Sequence, residues 1–234
     1  MFDPLTSARY THRMYGTLFI VSTPIGNIKD ITLRAIETLK DVDYILCEDT
    51  RKTGHLLNEY QISKKMVIFN DFNEERMINT VVGELEKGLR IALVSDAGTP
   101  LVSDPGYKLV REAISKNIKI EVIPGASGVI AALAISGLPT DKFLFLGFLP
   151  KKDGKREKLL TDTKEAVSKV KSTVIIYESP FRVLKTLAQI KNVFGDVDVV
   201  VARELTKMHE ETIRGKISEI SAKIKPKGEF VILF

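Results

Sequence analysis

The feature that most constrains the fold is a regular alternation of short apolar runs with segments of helical spacing. Apolar runs predict strands at 17–22, 43–48, 66–69, 90–95 and 119–123. Between the first two runs, Ile31, Ala35 and Leu39 recur every fourth residue, which is typical of an amphipathic helix. Helical segments are also predicted at 53–60, 74–87 and 107–116. A strand–helix repeat of this kind predicts a mostly parallel sheet with helices on both faces.

A second region continues the pattern, so the predicted class is α/β with two α/β domains. We predict strands at 143–149, 173–177, 197–203 and 229–234, and helices at 154–171, 181–191 and 216–224. The predicted organisation is an N-terminal domain at 14–124, a connector helix at 125–140 and a C-terminal domain at 141–234. Residues 1–13 are polar and aperiodic, and they predict a disordered extension.

Composition excludes several classes of function. The chain has 234 residues and a single cysteine, which rules out an internal disulfide framework. Its histidines lack metal-ligand spacing, so no metal is expected, and neither a P-loop nor a dinucleotide fingerprint occurs. The absence of a membrane-length apolar run or signal peptide predicts a cytoplasmic protein with no membrane partner. A net charge of +5 permits a nucleic-acid partner without requiring one.

Charged residues gather where the predicted strands end, which is where open α/β sheets bind ligands. Asp96 and Asp104 follow the strand at 90–95, although both also fit ordinary turns. Asp104 is the weaker candidate, because the turn at 103–106 can be explained as the start of the next helix. After the strand at 43–48, Asp49 could simply cap a helix, or Glu48 and Asp49 could handle a proton while Arg51 holds a phosphate.

The second region repeats this design at 177–182 and 202–207, where carboxylates and bases again follow apolar strands. Several strand ends of this kind suggest one shared crevice. A separate cluster of basic residues is either a solvated helix face or a contact for the phosphate backbone of RNA or DNA. Its members are Lys151, Lys152, Lys155, Arg156 and Lys158.

Motifs in order along the chain resemble those of the ribosomal RNA small subunit methyltransferase I family. They lie at 16–18, 22–27, 30–35, 48–51, 95–106, 124–127, 147–150, 177–180 and 202–207. That family consists of cytidine 2′-O-methyltransferases of the tetrapyrrole methylase superfamily, which use S-adenosyl-L-methionine. The resemblance implies a methyl donor bound in the cleft between two α/β domains, a homodimer, and a cytidine in the decoding region of 16S ribosomal RNA as substrate.

The resemblance also implies which residues line the donor site. They are Pro24, Ile25, Gly26, Asp96, Ala97, Gly98, Thr99, Pro100, Ser127, Tyr177, Glu178, Arg203 and Glu204. For the chemistry, we expect Glu48, Asp49 or Asp96 to take the ribose proton and Arg51 to steer a phosphate. Two alternatives stay open: a methylase of a tetrapyrrole or other small molecule on the same fold, and a non-catalytic RNA-binding protein.

Overall fold

A computed structural model describes residues 16–234, so the predicted extension at 1–13 lies outside the described residues. The first sheet is parallel throughout, in the order β3-β2-β4-β1-β5, as the strand–helix repeat predicted. Its elements are β1 (Thr17–Val21), α1 (Leu33–Asp41), β2 (Tyr44–Cys47), α2 (Thr50–Glu59), β3 (Lys65–Ile68), α3 (Glu74–Glu86), β4 (Arg90–Leu93), α4 (Tyr107–Ser115) and β5 (Lys119–Ile123).

Side chains of successive strand residues point to opposite faces of this sheet, and helices cover both faces. On one face, Ala35 and Leu39 of α1 pack with Ile45 of β2. On the other face, Leu85 of α3 packs with Leu46. The sheet is therefore buried on both sides, which leaves its edges and strand ends for function.

The second sheet is mixed, in the order β6-β7-β10-β8-β9. Strand β10 runs antiparallel to both β7 and β8. Strands β7 and β8 therefore run in the same direction, and their carboxyl ends lie on the same side of the sheet. The elements are α5 (Gly128–Ser136), β6 (Phe143–Phe148), α6 (Asp153–Lys169), β7 (Thr173–Glu178), α7 (Val183–Phe194), β8 (Asp198–Arg203), β9 (Glu211–Lys216), α8 (Ile217–Ile220) and β10 (Phe230–Leu233).

The structure corrects two expectations about this second region. Strand β9 was not predicted, because its sequence ETIRGK lacks the apolar run that marked the other strands. The helix expected at 216–224 is shorter, consisting of α8 and a 3-10 turn at Ser221–Lys223. The predicted connector helix, α5, covers one face of the second sheet, where Val129 and Leu133 pack with Val200. The exact domain boundaries stay a prediction.

The two sheets face each other across a cleft, with strand ends from both on its walls. The loop after β1 contacts the loop after β8, where the Asn27 amide donates to Thr206 Oγ1 at 3.0 Å. The approach is close enough that a Cβ on Gly26 would lie 2.8 Å from the Leu205 carbonyl oxygen. Within residues 16–234, none of the helices is both long and apolar enough to span a bilayer.

Candidate functional site

Two adjoining cavities occupy the cleft. The first chamber, of about 410 Å³, lies between the ends of β4 and β7, and the second chamber, of about 640 Å³, lies between the ends of β1 and β2. Five residues line both: Ile25, Lys52, Asp96, Ala97 and Glu229. Two cavities that share a wall can hold two reactants side by side, and the shared residues lie where the reactants would meet.

Predicted site residues divide between the two chambers. Those in the first are Ile25, Glu48, Asp96, Ala97, Gly98, Thr99, Ser127, Tyr177 and Glu178. Those in the second are Pro24, Ile25, Gly26, Asp49, Arg51, Asp96 and Ala97. Three others lie outside the lining of both chambers. Pro100 is buried, Arg203 pairs with Glu211 at 3.0 Å, and Glu204 pairs with Lys207 at 3.1 Å.

The loop after β4 forms a fixed wall of the first chamber. Gly98 exchanges two backbone hydrogen bonds with Thr23, at 2.8 and 3.1 Å, and it has a φ of 85°, which glycine adopts without strain. Farther along, Leu101 and Ser103 have φ values of 72° and 68°. A positive φ costs energy in residues that have a Cβ, and residues with this conformation are typical of loops that serve a binding site.

Three carboxyl groups from β2 and β4 converge on the first chamber. Glu48 accepts a hydrogen bond from the Asp96 amide at 3.3 Å, and Asp96 accepts one from the Asp49 amide at 3.1 Å. Burial, reinforced by the charge of Glu48, raises the pKa of Asp104 to about 7, and burial also raises the pKa of Glu48. Asp104 lines the chamber together with Glu48 and Asp96, a position that its turn sequence did not indicate.

Lys52, which the sequence analysis missed, separates the two chambers. Its Nζ donates to Asp96 Oδ2 at 2.8 Å, and this contact raises the pKa of Lys52, so the side chain carries a positive charge. The available signal was its position in the first turn of α2, directly after the charged stretch at 48–51. The pair places a fixed positive charge beside a carboxylate at the boundary of the chambers.

Asp49 performs the capping role that was the simpler of its two interpretations. Its Oδ1 accepts from the Arg51 amide at 2.9 Å at the start of α2. The Arg51 guanidinium also bonds both carboxylate oxygens, at 3.0 and 2.6 Å, and this holds the pKa of Asp49 well below its usual range. A weakly basic carboxylate is a poor proton acceptor, whereas Arg51, with 89% of its side chain exposed, remains open to an anion.

On the second sheet, Tyr177 and Glu178 have different roles. The Tyr177 ring packs against Phe145 and Phe148, with centroids 4.9 and 5.6 Å away, and burial raises its pKa to about 12. It therefore stays a neutral, aromatic wall. The buried Glu178 pairs with Arg182 at 2.7 Å and accepts from Thr186 Oγ1 at 2.6 Å, which leaves it a mainly structural role.

The basic cluster lies just before and within the first turns of α6, and one of its members is not available to RNA. Lys151, Lys152, Lys155 and Lys158 are exposed. Arg156 is only 1% exposed, and its guanidinium bonds Gln189, the Pro150 carbonyl and Asp153. Its role is to anchor α6 to α7, so the prediction of an RNA contact at Arg156 was wrong. Sequence could not separate it from its neighbours, because all five side chains are basic.

Within residues 16–234, no three side chains of the metal-binding types His, Cys, Asp and Glu are grouped closely enough to hold an ion.

Comparisons with known proteins relate this chain to methyltransferases. The family model for tetrapyrrole (corrin/porphyrin) methylases matches residues 17–221. Ribosomal RNA small subunit methyltransferase I of Thermotoga maritima is 45% identical over 221 residues, covering 93% of this chain and 97% of that protein. The protein of the same name from Rickettsia prowazekii is 48% identical over 219 residues, covering 92% and 77%.

Solved structures share the fold at low sequence identity. A cobalt precorrin-4 methyltransferase has a TM-score of 0.68 and 19% identity, covering 93% of this chain and 94% of its own. Diphthine synthase has a TM-score of 0.70 and 15% identity, covering 94% and 90%.

Proposed function

Because the chain belongs to the ribosomal RNA small subunit methyltransferase I family of the tetrapyrrole methylases, we propose that it methylates ribosomal RNA. The proposed reaction transfers a methyl group from S-adenosyl-L-methionine to the 2′-hydroxyl of a cytidine in the decoding region of 16S ribosomal RNA. The observation that carries the proposal is the pair of chambers joined at Lys52 and Asp96, which gives each reactant its own space.

The first chamber fits the methyl donor, which when bound supplies an electrophilic methyl group on a positively charged sulfur. Its volume lies within the range typical of small-molecule sites. Glu48, Asp96 and Asp104 offer negative charge to the cationic portion, while Tyr177 and Ile25 offer apolar surface to the rest. At Gly128, an added Cβ would lie 3.1 Å from the Tyr177 hydroxyl, so the glycine keeps this wall close to the chamber.

The second chamber suits the ribose and its phosphates. Arg51 lines it with an exposed guanidinium, a group that binds phosphate through two parallel hydrogen bonds. Lys207 lines the opposite wall, held at 2.9 Å from Glu229. The exposed lysines just before and within the first turns of α6 support contacts to the RNA backbone outside the chamber.

Of the carboxylates first considered as proton acceptors, Asp96 is the best placed. It lines both chambers, while Glu48 faces the first only and Asp49 is tied to Arg51. Lys52 holds the Asp96 carboxylate from one oxygen and the Asp49 amide holds it from the other. In this proposal Asp96 accepts the ribose proton, and most of the acceleration comes from holding the two reactants in line.

Labelled donor and small ribosomal subunits that lack the modification provide the test of this function. We expect wild-type protein to transfer label to the RNA and Asp96→Asn to lose at least a hundredfold in kcat. Asp162→Asn, which changes an exposed carboxylate outside both chambers, is the matched control and should retain full turnover. Label that enters a tetrapyrrole and never the subunit would replace this proposal with the small-molecule alternative. Donor binding without transfer to any acceptor would favour a non-catalytic role.

We also propose that the protein is a homodimer. In support, β5 is an edge strand of the first sheet, and Val122 on it is 59% exposed. Exposed apolar edge strands are usually covered, and a second copy of the chain would cover this one. The mass in solution, measured by light scattering, tests this directly. A ribosomal substrate also implies the cytoplasmic location that the sequence predicted.

A further inference from the structure

The most exposed large apolar side chains of the described chain all lie beside the cleft. Phe72, Phe181 and Met208 are 99%, 95% and 94% exposed, and the next in rank, Leu33, is 79% exposed. The three follow the carboxyl ends of β3, β7 and β8. Phe181 and Met208 each come directly after a residue that lines a chamber, Pro180 and Lys207 respectively. Large apolar side chains this exposed are uncommon in a folded domain, and their position next to the walls of the cleft indicates a binding surface.

Phe181 is held out by a rigid turn. Pro180 just before it lines the first chamber. Arg182 just after it turns inward, donating to the Leu149 carbonyl at 3.0 Å and pairing with the buried Glu178. With both neighbours anchored, the Phe181 ring extends into solvent from a fixed backbone, and little ordering is needed when it binds a partner.

Phe72 has the same kind of support. Asn70 Oδ1 accepts from the Phe72 amide at 3.1 Å, and Asn73 Oδ1 accepts from the Asn70 amide at 2.9 Å. Next to this turn, Glu74 accepts from the Gly106 amide at 3.1 Å, which ties it to the loop that carries Asp104. Phe72 therefore stands at the Asp104 end of the first chamber.

Met208 directly follows a residue of the second chamber, on a turn that is also held by hydrogen bonds. Lys207 lines that chamber and pairs with Glu204 and Glu229 at 3.1 and 2.9 Å. Glu210 accepts from the Thr206 amide at 2.6 Å and closes the turn. The apolar tips thus flank both chambers, and basic side chains lie beside them.

We propose that this rim, consisting of Phe72, Phe181 and Met208, grips unpaired bases of the RNA around the target nucleotide. This rests on the proposed function. Aromatic rings stack on bases of any sequence, and an apolar side chain such as methionine can wedge between bases. Exposed Arg51 and the lysines of α6 supply the complementary charge for the RNA backbone. Isolated tips separated by polar residues suit single bases better than a lipid surface, which requires a continuous apolar face.

The chain contains no tryptophan, which allows a direct test. Phe181→Trp and Phe72→Trp each introduce one fluorophore at the rim. Phe143→Trp is the matched control, since Phe143 is 43% exposed and lies at the start of β6, the end of that strand away from the chambers. We expect unmethylated small subunits to quench emission at 181 and 72 but leave it unchanged at 143.

The kinetic arm uses Phe181→Ala and Phe72→Ala. Each is expected to raise KM for small subunits roughly fivefold or more, the lower end of what one base stack contributes, with unchanged donor affinity. Equal quenching at all three positions, or unchanged KM in both variants, would overturn the proposal. So would a loss of dimer mass or of vesicle binding in these variants, because a second copy or a lipid would then be the partner. Failure of the wild type to methylate subunits would instead refute the proposed function.

Discussion

The raised pKa of Asp104 predicts that the protein without ligand becomes less stable as pH rises toward neutrality. The carboxyl is largely buried at the first chamber, beside Glu48, so the charged form loses hydration that the unfolded chain would give it. Its pKa in the folded state is about 7, against an ordinary value of 3.8. Between those values the folded state holds a proton that the unfolded state has released, so stability falls through this window.

The size of the effect follows from the shift. Each pH unit within the window costs about 1.4 kcal/mol, so a shift of about three units limits the total loss to about 4 kcal/mol. Between pH 5.5 and pH 8.5, only the portion below pH 7 contributes, which amounts to about 2 kcal/mol. Asp104→Asn keeps the shape of the side chain and cannot ionise, so the variant should avoid that loss.

Urea unfolding of both proteins at pH 5.5 and pH 8.5 measures the difference. At each pH, the quantity of interest is the free energy of unfolding of Asp104→Asn minus that of the wild type. This difference should be about 2 kcal/mol larger at pH 8.5 than at pH 5.5. Asp162→Asn, which removes an exposed carboxylate on α6, is the control and should follow the wild type. Parallel behaviour of the wild type and Asp104→Asn at the two pH values would refute the reasoning.

Three further substitutions test other parts of the structure. Lys52→Met should lower kcat about tenfold or more while thermal unfolding changes little, because exposed ion pairs add little stability; Lys52→Arg should recover part of the rate. Gly26→Ala should weaken donor affinity, measured by calorimetry, because its Cβ would push against the carbonyl of Leu205, a residue that lines the first chamber. Gly83→Ala, with open space around it, should not. Arg156→Met should cost about 3 kcal/mol in urea unfolding, because the hydrogen bonds of the buried guanidinium are lost. Unchanged unfolding would contradict the anchoring role.

The sequence predicted the first sheet because its strands are buried on both faces and read as apolar runs. Strand β9 lacked that signal, since it is a polar partner of β8 at the sheet edge. The direction of β10 was also hidden, because an apolar run is the same in a parallel or antiparallel strand. Periodicity records burial, whereas pairing depends on which segments meet in space.

The candidate site was predicted in outline and missed in detail for a similar reason. Strand-end motifs located the crevice, but Lys52 and Arg156 show that charge alone does not reveal a side chain's partners. Lys52 turns toward Asp96 at the chamber boundary, while Arg156 turns into the packing between α6 and α7. Asp104 was undervalued because a turn sequence does not reveal what the turn is buried against.

The central claim is that the two chambers place a methyl donor beside a ribose hydroxyl of small-subunit RNA. The most direct measurement is mass spectrometry of nucleosides from unmethylated small subunits incubated with the wild-type protein and isotope-labelled S-adenosyl-L-methionine. The account predicts one labelled product, 2′-O-methylcytidine, at a single position of the decoding region, and none with Asp96→Asn. Label on a base, or on a ribose of another nucleoside, would contradict it.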